Sequence, residues 1–275
     1  MAVTAVDVDV ALVPDEAMPD RPAVFIVVDL IRASTTLTTL LDLGCSAIYI
    51  EGSLVRAKQL ARRTGSILIG ERNRRRPEGF DFANSPLALV RAGVHDGGAI
   101  LSTTNGTAIL RMLRRSDHVL VGCLRNARAC AGAAVRLAAV HGLPIRVVCA
   151  GLKRRFVLDD AVAAGVIAAR IVEVARSAGL VANLSDAARA AVRLYESYPD
   201  TLAALVDSDG GRTLVDIGEE EDLPYCAEVD VTDTVPVLRD GQPMRILRLS
   251  EWVASGPRTP RRPSGSRRDV GRSRD

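Results

Sequence analysis

The chain has 275 residues, enough for one large α/β domain or two small ones. Aromatic residues make up only 3% of it, which argues against a nucleic-acid binder that works by base stacking. The net charge of +3 belongs to the end of the chain. Residues 256–275 hold seven Arg and two Asp, so residues 1–255 are slightly acidic, and the basic balance does not point to nucleic acid or a membrane surface. Five cysteines at wide spacings, with no CxxC, fit reduced thiols in a cytoplasmic protein. No apolar run approaches the roughly 20 residues of a membrane span, and the first residues lack a signal-peptide pattern.

In chain order, residues 3–13 alternate as an opening strand, and 24–28 form a continuous apolar run typical of a buried parallel strand. A helix is expected over 34–43, a strand over 47–51, a helix over 54–63 and a short strand over 67–69. Ser85 is placed to cap a helix starting at Pro86. Strands follow at 99–102, 119–122 and 145–149, and helices at 107–113, 126–140 and 158–178. Beyond 183 the pattern loosens into helices near 185–195 and 202–207, then strands near Val229 and over 244–249. Strands alternating with helices predict a layered α/β/α fold with a mostly parallel sheet, in one or two lobes. Residues 1–255 are expected to be the folded domain and 256–275 a disordered tail. No internal repeat is evident.

Three polar clusters lie where strands or loops lead into helices, the place where open α/β sheets bind anions. The first is VVDLIRASTT. Asp29 ends a strand and offers a nucleophile or metal ligand; Arg32, Ser34 and Thr35 offer donors to phosphate oxygens. The second is the long loop GERNRRRPEGFDFANSP, where Glu71, Asp81 and Asn84 stand out. The third is LSTTNGT, where Thr103, Thr104, Asn105, Gly106 and Thr107 are set to ring a phosphate without any Walker A pattern. Cys149 and Arg155 have the C-x5-R spacing of cysteine phosphatases, but Cys130 and Arg136 share it inside an expected helix, so a buried strand-end thiol is the better reading. Asp159 and Asp160 open the next helix, as dipole partners or as metal ligands. The three histidines have no metal-ligand spacing and are read as lying in loops or at helix edges; the acidic run 219–222 reads as a solvated face.

These motifs, with VCAGLKRRFVLDDAVAAG and EEDLPYCAEVDVTDTVPVL, resemble in order the 2-phosphosulfolactate phosphatase family over about residues 5–250. The resemblance implies a magnesium-dependent phosphatase that converts (R)-2-phospho-3-sulfolactate to 3-sulfolactate and phosphate, a step of coenzyme M biosynthesis. It would place Mg²⁺ on carboxylates drawn from Asp29, Glu71, Asp81 and Asp160. Arg32 and the 103–107 donors would hold the phosphoryl group, and Arg72 or Arg155 the second anionic group. The attacking group is left open between Asp29, a metal-bound water and Cys149. The chain departs from the family pattern at Asn73 to Arg76 (usually Gly-rich), Leu152 (often Thr), Val157 (often Ser) and Ala163 (often Cys). Two other readings stand beside it: a phosphatase of another small organophosphate, and a non-catalytic phosphoester-binding module. The expected partner is a small anionic phosphoester, with no membrane or specific nucleic acid; a homo-oligomer is left open.

Overall fold

The computed structural model describes residues 4–255. The predicted tail, 256–275, lies outside the described residues. The first half of the chain runs β1 (Ala5–Ala11), β2 (Val24–Val28), α1 (Ala33–Asp42), β3 (Ala47–Ile50), α2 (Leu54–Thr64), β4 (Ile67–Gly70), β5 (Phe82–Ala83), α3 (Pro86–Arg91), β6 (Gly98–Ser102) and α4 (Gly106–Leu113). It continues with β7 (His118–Val121), α5 (Ala127–His141), β8 (Ile145–Cys149), α6 (Leu158–Ser177), β9 (Val181–Leu184), α7 (Asp186–Glu196), α8 (Thr201–Asp207), α9 (Asp209–Asp216), α10 (Asp222–Ala227), β10 (Pro236–Arg239), β11 (Met244–Arg248) and α11 (Leu249–Ala254).

The strands form one sheet in the order β5-β4-β6-β3-β11-β10-β7-β2-β8-β1-β9. It is two parallel half-sheets joined by the β10–β11 hairpin, which pairs antiparallel with β3 on one side and β7 on the other. Three antiparallel steps make the half-sheets run in opposite senses along the ladder. Right-handed twist of about 20–25° per strand accumulates to roughly 100–125° over the five steps from β6 to β2. The carboxyl ends of β2 and β6 therefore swing toward each other rather than to opposite edges, and the site lies where they meet.

Burial follows the strand pattern. All five residues of β2 are buried, as expected of a parallel strand covered on both faces. Helices α1 and α4 fill the concave side, where Leu37, Leu40, Ile109 and Leu113 share one cluster with Phe25 and Val27 of one half-sheet and Ile48 and Leu101 of the other. Each such leucine contributes about 2 kcal/mol through burial. Helices α5, α6 and α7 cover the outer face of the β2 half, and α2 packs on that of the β4 half through Ala57, Leu68 and Ile100.

Several expectations change. No strand forms at Val229. Asp230 turns left-handed at φ 57°, and its carboxylate accepts from Arg128 N–H (2.7 Å) and Arg170 Nε (2.6 Å), which fixes a loop. The strand lies later, at Pro236–Arg239. Strands β5 and β9 and helices α9, α10 and α11 are additional. His118 is no loop residue: it opens β7, buried, with its ring 4.5 Å from that of His141. Among the described residues no helix is long and apolar enough to cross a membrane.

Candidate active site

A cavity of about 590 Å³ opens between the converging strand ends. Its acidic wall carries Asp29 after β2, Glu71 after β4, and Asp159 and Asp160 in the first turn of α6. Asp29 is nearly buried. It accepts from Ala33 N–H (3.3 Å), while its own N–H donates to Ser34 Oγ (2.8 Å), so the start of α1 holds it from both sides. Burial raises its pKa from 3.8 to about 6, and the Glu71 charge pushes the same way; the amides of Ala33 and Gly106 oppose the rise. A Cβ at position 106 would lie 2.7 Å from Asp29 Oδ2, so a residue without one is required where α4 begins.

The neighbouring pair Asp159 and Asp160 divides its tasks. Asp160 Oδ1 accepts from Leu30 N–H and Oδ2 from Gly151 N–H, both at 2.8 Å, which staples the end of β2 to the end of β8. Both oxygens are thus occupied by backbone. Asp159 Oδ1, by contrast, is buried and has no hydrogen-bond partner. Burial, with the Asp29 charge adding to it, raises Asp159 from 3.8 to about 7. Glu71 bridges two loops, accepting from Thr104 N–H (2.6 Å) and Arg74 N–H (3.1 Å).

The cationic rim comes from two copies of one turn. Residues 72–75 and 152–155 each close with reciprocal backbone bonds: Arg72 N–H to Arg75 O (2.9 Å) and back (3.1 Å), Leu152 N–H to Arg155 O and back (both 3.0 Å). The central pairs are left-handed, at φ 50° and 65° for Asn73 and Arg74, and 50° and 64° for Lys153 and Arg154. Such two-residue turns need φ > 0 at both central positions. One follows β4 and the other β8, so each half-sheet delivers one turn to the cavity. Asn73, Arg74, Lys153 and Arg155 line it. This is a local repeat that the sequence reading missed; its signal was the shared Arg-Arg at 74–75 and 154–155, a few residues beyond the ends of β4 and β8.

The remaining expected residues fall into two groups. Arg32, Asn84, Thr103, Thr104 and Asn105 line the cavity. Asn84 Oδ1 is buried without a partner. Thr103 and Thr107 hydroxyls bond each other (3.1 Å), and Asn105 Oδ1 accepts from Lys153 N–H (3.3 Å). Arg32 is buried; its Nη1 is held by Glu219 and Asp222, the latter at 2.6 Å. That corrects the reading of 219–222 as a solvated face, since Asp222 is 2% exposed and also accepts from Ser85 Oγ and Leu87 N–H (both 3.0 Å). Ser34 and Thr35 turn inward: Ser34 Oγ takes the Asp29 N–H and Thr35 Oγ1 donates to Leu30 O (2.9 Å). Arg72 is spent on backbone, donating to Gly52 O (2.6 Å) and Ser102 O (3.0 Å). Asp81 lies off the cavity and caps β4, accepting from Leu68 N–H (2.7 Å). Cys149 is fully buried at the end of β8, outside the cavity lining, and burial pushes its thiol far above the ordinary range, so the C-x5-R spacing builds no thiolate loop. Asp209, Gly210 and Thr213 of α9 close the far wall, a contribution the sequence reading did not anticipate; a Cβ at Gly210 would sit 3.0 Å from Asp159 Oδ1.

Residues 9–241 match the family model for 2-phosphosulpholactate phosphatase. The chain belongs to this family. That places it among the phosphatases, the phosphoric monoester hydrolases. Among curated relatives, a probable 2-phosphosulfolactate phosphatase of Thermus thermophilus is 37% identical over 233 residues, 84% of this chain and 93% of the relative. Proteins of the same description from Thermotoga petrophila (32% over 235 residues, 85% and 96%) and Clostridium beijerinckii (28% over 241 residues, 86% and 98%) align as completely. The family match therefore spans the acidic wall, both turns and α9.

Proposed function

We propose that the chain hydrolyses the phosphomonoester of a small, multiply anionic substrate, with (R)-2-phospho-3-sulfolactate giving 3-sulfolactate and phosphate. The observation that carries this is the charge of the cavity lining, which combines buried carboxylates with Arg74, Lys153 and Arg155 from the two turns. A phosphoester carrying a sulfonate and a carboxylate needs cations at both ends, and planar guanidinium forks suit all three groups.

Magnesium suits the acidic wall. Asp29 and Asp159 are buried close enough to raise each other's charge cost, and Asp159 Oδ1 is left without a partner. Among the described residues no group of three or more ligands forms an all-protein cage. Mg²⁺ needs none, since one or two carboxylates, waters and substrate phosphate commonly complete its shell. Asp29 and Asp159 would hold it; Glu71 and Asp160, each with a backbone amide on both oxygens, are less suited, and Asp81 lies off the cavity. Bound there, the ion would offset negative charge on the phosphoryl oxygens.

The protein groups then have separate tasks. Arg32, still offering Nη2 and Nε, and the Thr103–Asn105 loop with the N-terminus of α4 grip the phosphoryl oxygens. Lys153 and Arg155 hold the non-transferred anions. The phosphorus–oxygen ester bond breaks, water supplies the oxygen that joins phosphorus, and its proton ends on the alcohol. Asp29 serves that exchange as nucleophile or as base. Its replacement in D29N, which keeps the amide acceptor but not the charge, should cut phosphate release by a factor of about 10² or more; full activity in D29N would sink the assignment. Leu152 and Val157 line the cavity. That apolar patch favours a second reading, in which the same site takes another small organophosphate with an alkyl portion.

A further inference from the structure

A second cavity, of about 530 Å³, lies between α2 and α4 and shares no lining residue with the first. Four arginines face it: Arg56 and Arg63 on α2, and Arg111 and Arg114 at the end of α4. Seven residues apart, the first two lie on one helix face; three apart, the second two are surface neighbours. Glu51, the one acidic residue in its lining, is bonded by Arg56 through a two-pronged contact at 3.1 and 2.8 Å, and its charge also reaches Arg111. Among the described residues Arg63, Arg111 and Arg114 have no ion pair. Arginine is abundant in this chain, so a lone exposed one means little. Some exposed helical arginines elsewhere pair with carboxylates three residues away, as Arg189 with Asp186, Arg193 with Glu196 and Arg212 with Asp209, while Arg62, Arg136 and Arg176 stand singly without an ion pair among the described residues, so it is convergence on one concavity that sets this group apart. Three unpaired guanidiniums around one concavity are a different arrangement. Ile50, Leu60, Pro243 and Met244 add an apolar floor.

We propose that this cleft is a second anion site, which takes a polyphosphorylated small molecule whose phosphates span the α2 and α4 arginines. A single phosphate would use one fork and leave the others in mutual repulsion, whereas adjacent phosphates engage several. The apolar floor leaves room for a nucleoside on the chain. The site is independent of the hydrolytic assignment.

The test is calorimetric titration of the full chain with inorganic tripolyphosphate and, separately, with ATP, both in EDTA. The wild type is expected to bind, R111A/R114A at least tenfold more weakly, and R155A like the wild type. R63E, in which a single reversed charge faces the same cleft, should weaken binding too, and both variants should keep their phosphatase turnover. Tighter binding of ATP than of tripolyphosphate identifies a nucleotide; equal binding identifies the bare phosphate chain. The proposal is overturned by no binding of either probe, or by loss in R155A with retention in R111A/R114A, which would put the anion in the first cavity. It is equally overturned by the same weakening in R189A/R193A, which removes as much charge from α7 near the opposite edge of the sheet.

Discussion

Asp159→Asn probes the acidic wall without relying on turnover. A tenfold change in proton affinity is worth about 1.4 kcal/mol. Raising Asp159 from 3.8 to about 7 therefore sets a ceiling of about 4 kcal/mol on what its ionisation costs the folded protein. The sign follows from proton uptake. A carboxyl whose folded pKa is raised binds its proton more tightly when folded. Its favourable contribution is complete below the unfolded value near 3.8 and is lost as pH rises through about 7. Asn carries no charge at any pH. In EDTA, the melting temperature of D159N relative to wild type should thus improve from pH 4 to pH 8, by at most about 8–16 °C at roughly 2–4 °C per kcal/mol. Comparing the two pH values cancels whatever the amide costs in packing. Magnesium at pH 8 should then raise the wild-type melting temperature and leave D159N nearly unmoved, because a ligand that binds only the folded state stabilises by mass action. Differential scanning fluorimetry of both proteins in these three conditions is sufficient. A difference between variant and wild type that is the same at pH 4 and pH 8, or an equal magnesium response in both, would refute the reasoning.

Other consequences are simpler. Arg32→Met leaves Asp222 buried without its cation, and should cost about 3–5 kcal/mol in a urea melt, with R32M/D222N recovering part of it; a loss under 1 kcal/mol would show the pair is not structural. In G106A the added methyl would lie 2.7 Å from Asp29 Oδ2 and 2.8 Å from Ala33 Cβ, so kcat should fall by about 10–100-fold while the fold, judged by circular dichroism, persists. Unchanged kcat would mean that the position of Asp29 does not matter. R155A should raise KM for a substrate with a sulfonate or second carboxylate far more than for a simple alkyl phosphate; equal changes would remove Arg155 from the second-anion role.

Much of the frame could be read directly, because its signals are local. Buried strand runs at 24–28 and 145–149, the Ser85 cap and the polar ends of β2 and β6 each announce themselves within a few residues. What escaped depends on distant partners. Nothing near Asp222 marks it as buried; its partner Arg32 is 190 residues earlier. Ser34, Thr35 and Arg72 have the chemistry of phosphate donors, yet backbone acceptors claim them once the strands close. Asp81 and Asp160 likewise look like ligands until strand ends occupy them. The choice between Asp159 and Asp160 turns on helical phase, which adjacent carboxylates in a sequence cannot reveal. Strand β11 was legible over 244–249, but β10 and the place of their hairpin between the half-sheets were not, again because their neighbours β3 and β7 lie far away in the chain.

The most direct test of the hydrolytic assignment is phosphate release by the purified chain, with Mg²⁺ and with EDTA. The panel is (R)-2-phospho-3-sulfolactate, phospholactate, phosphoglycolate and a simple alkyl phosphate. A cavity that combines a carboxylate wall with two cationic turns predicts magnesium-dependent turnover that favours phosphosulfolactate, in kcat/KM, over substrates with fewer anionic groups. Turnover that persists in EDTA, or that prefers the alkyl phosphate, would contradict it.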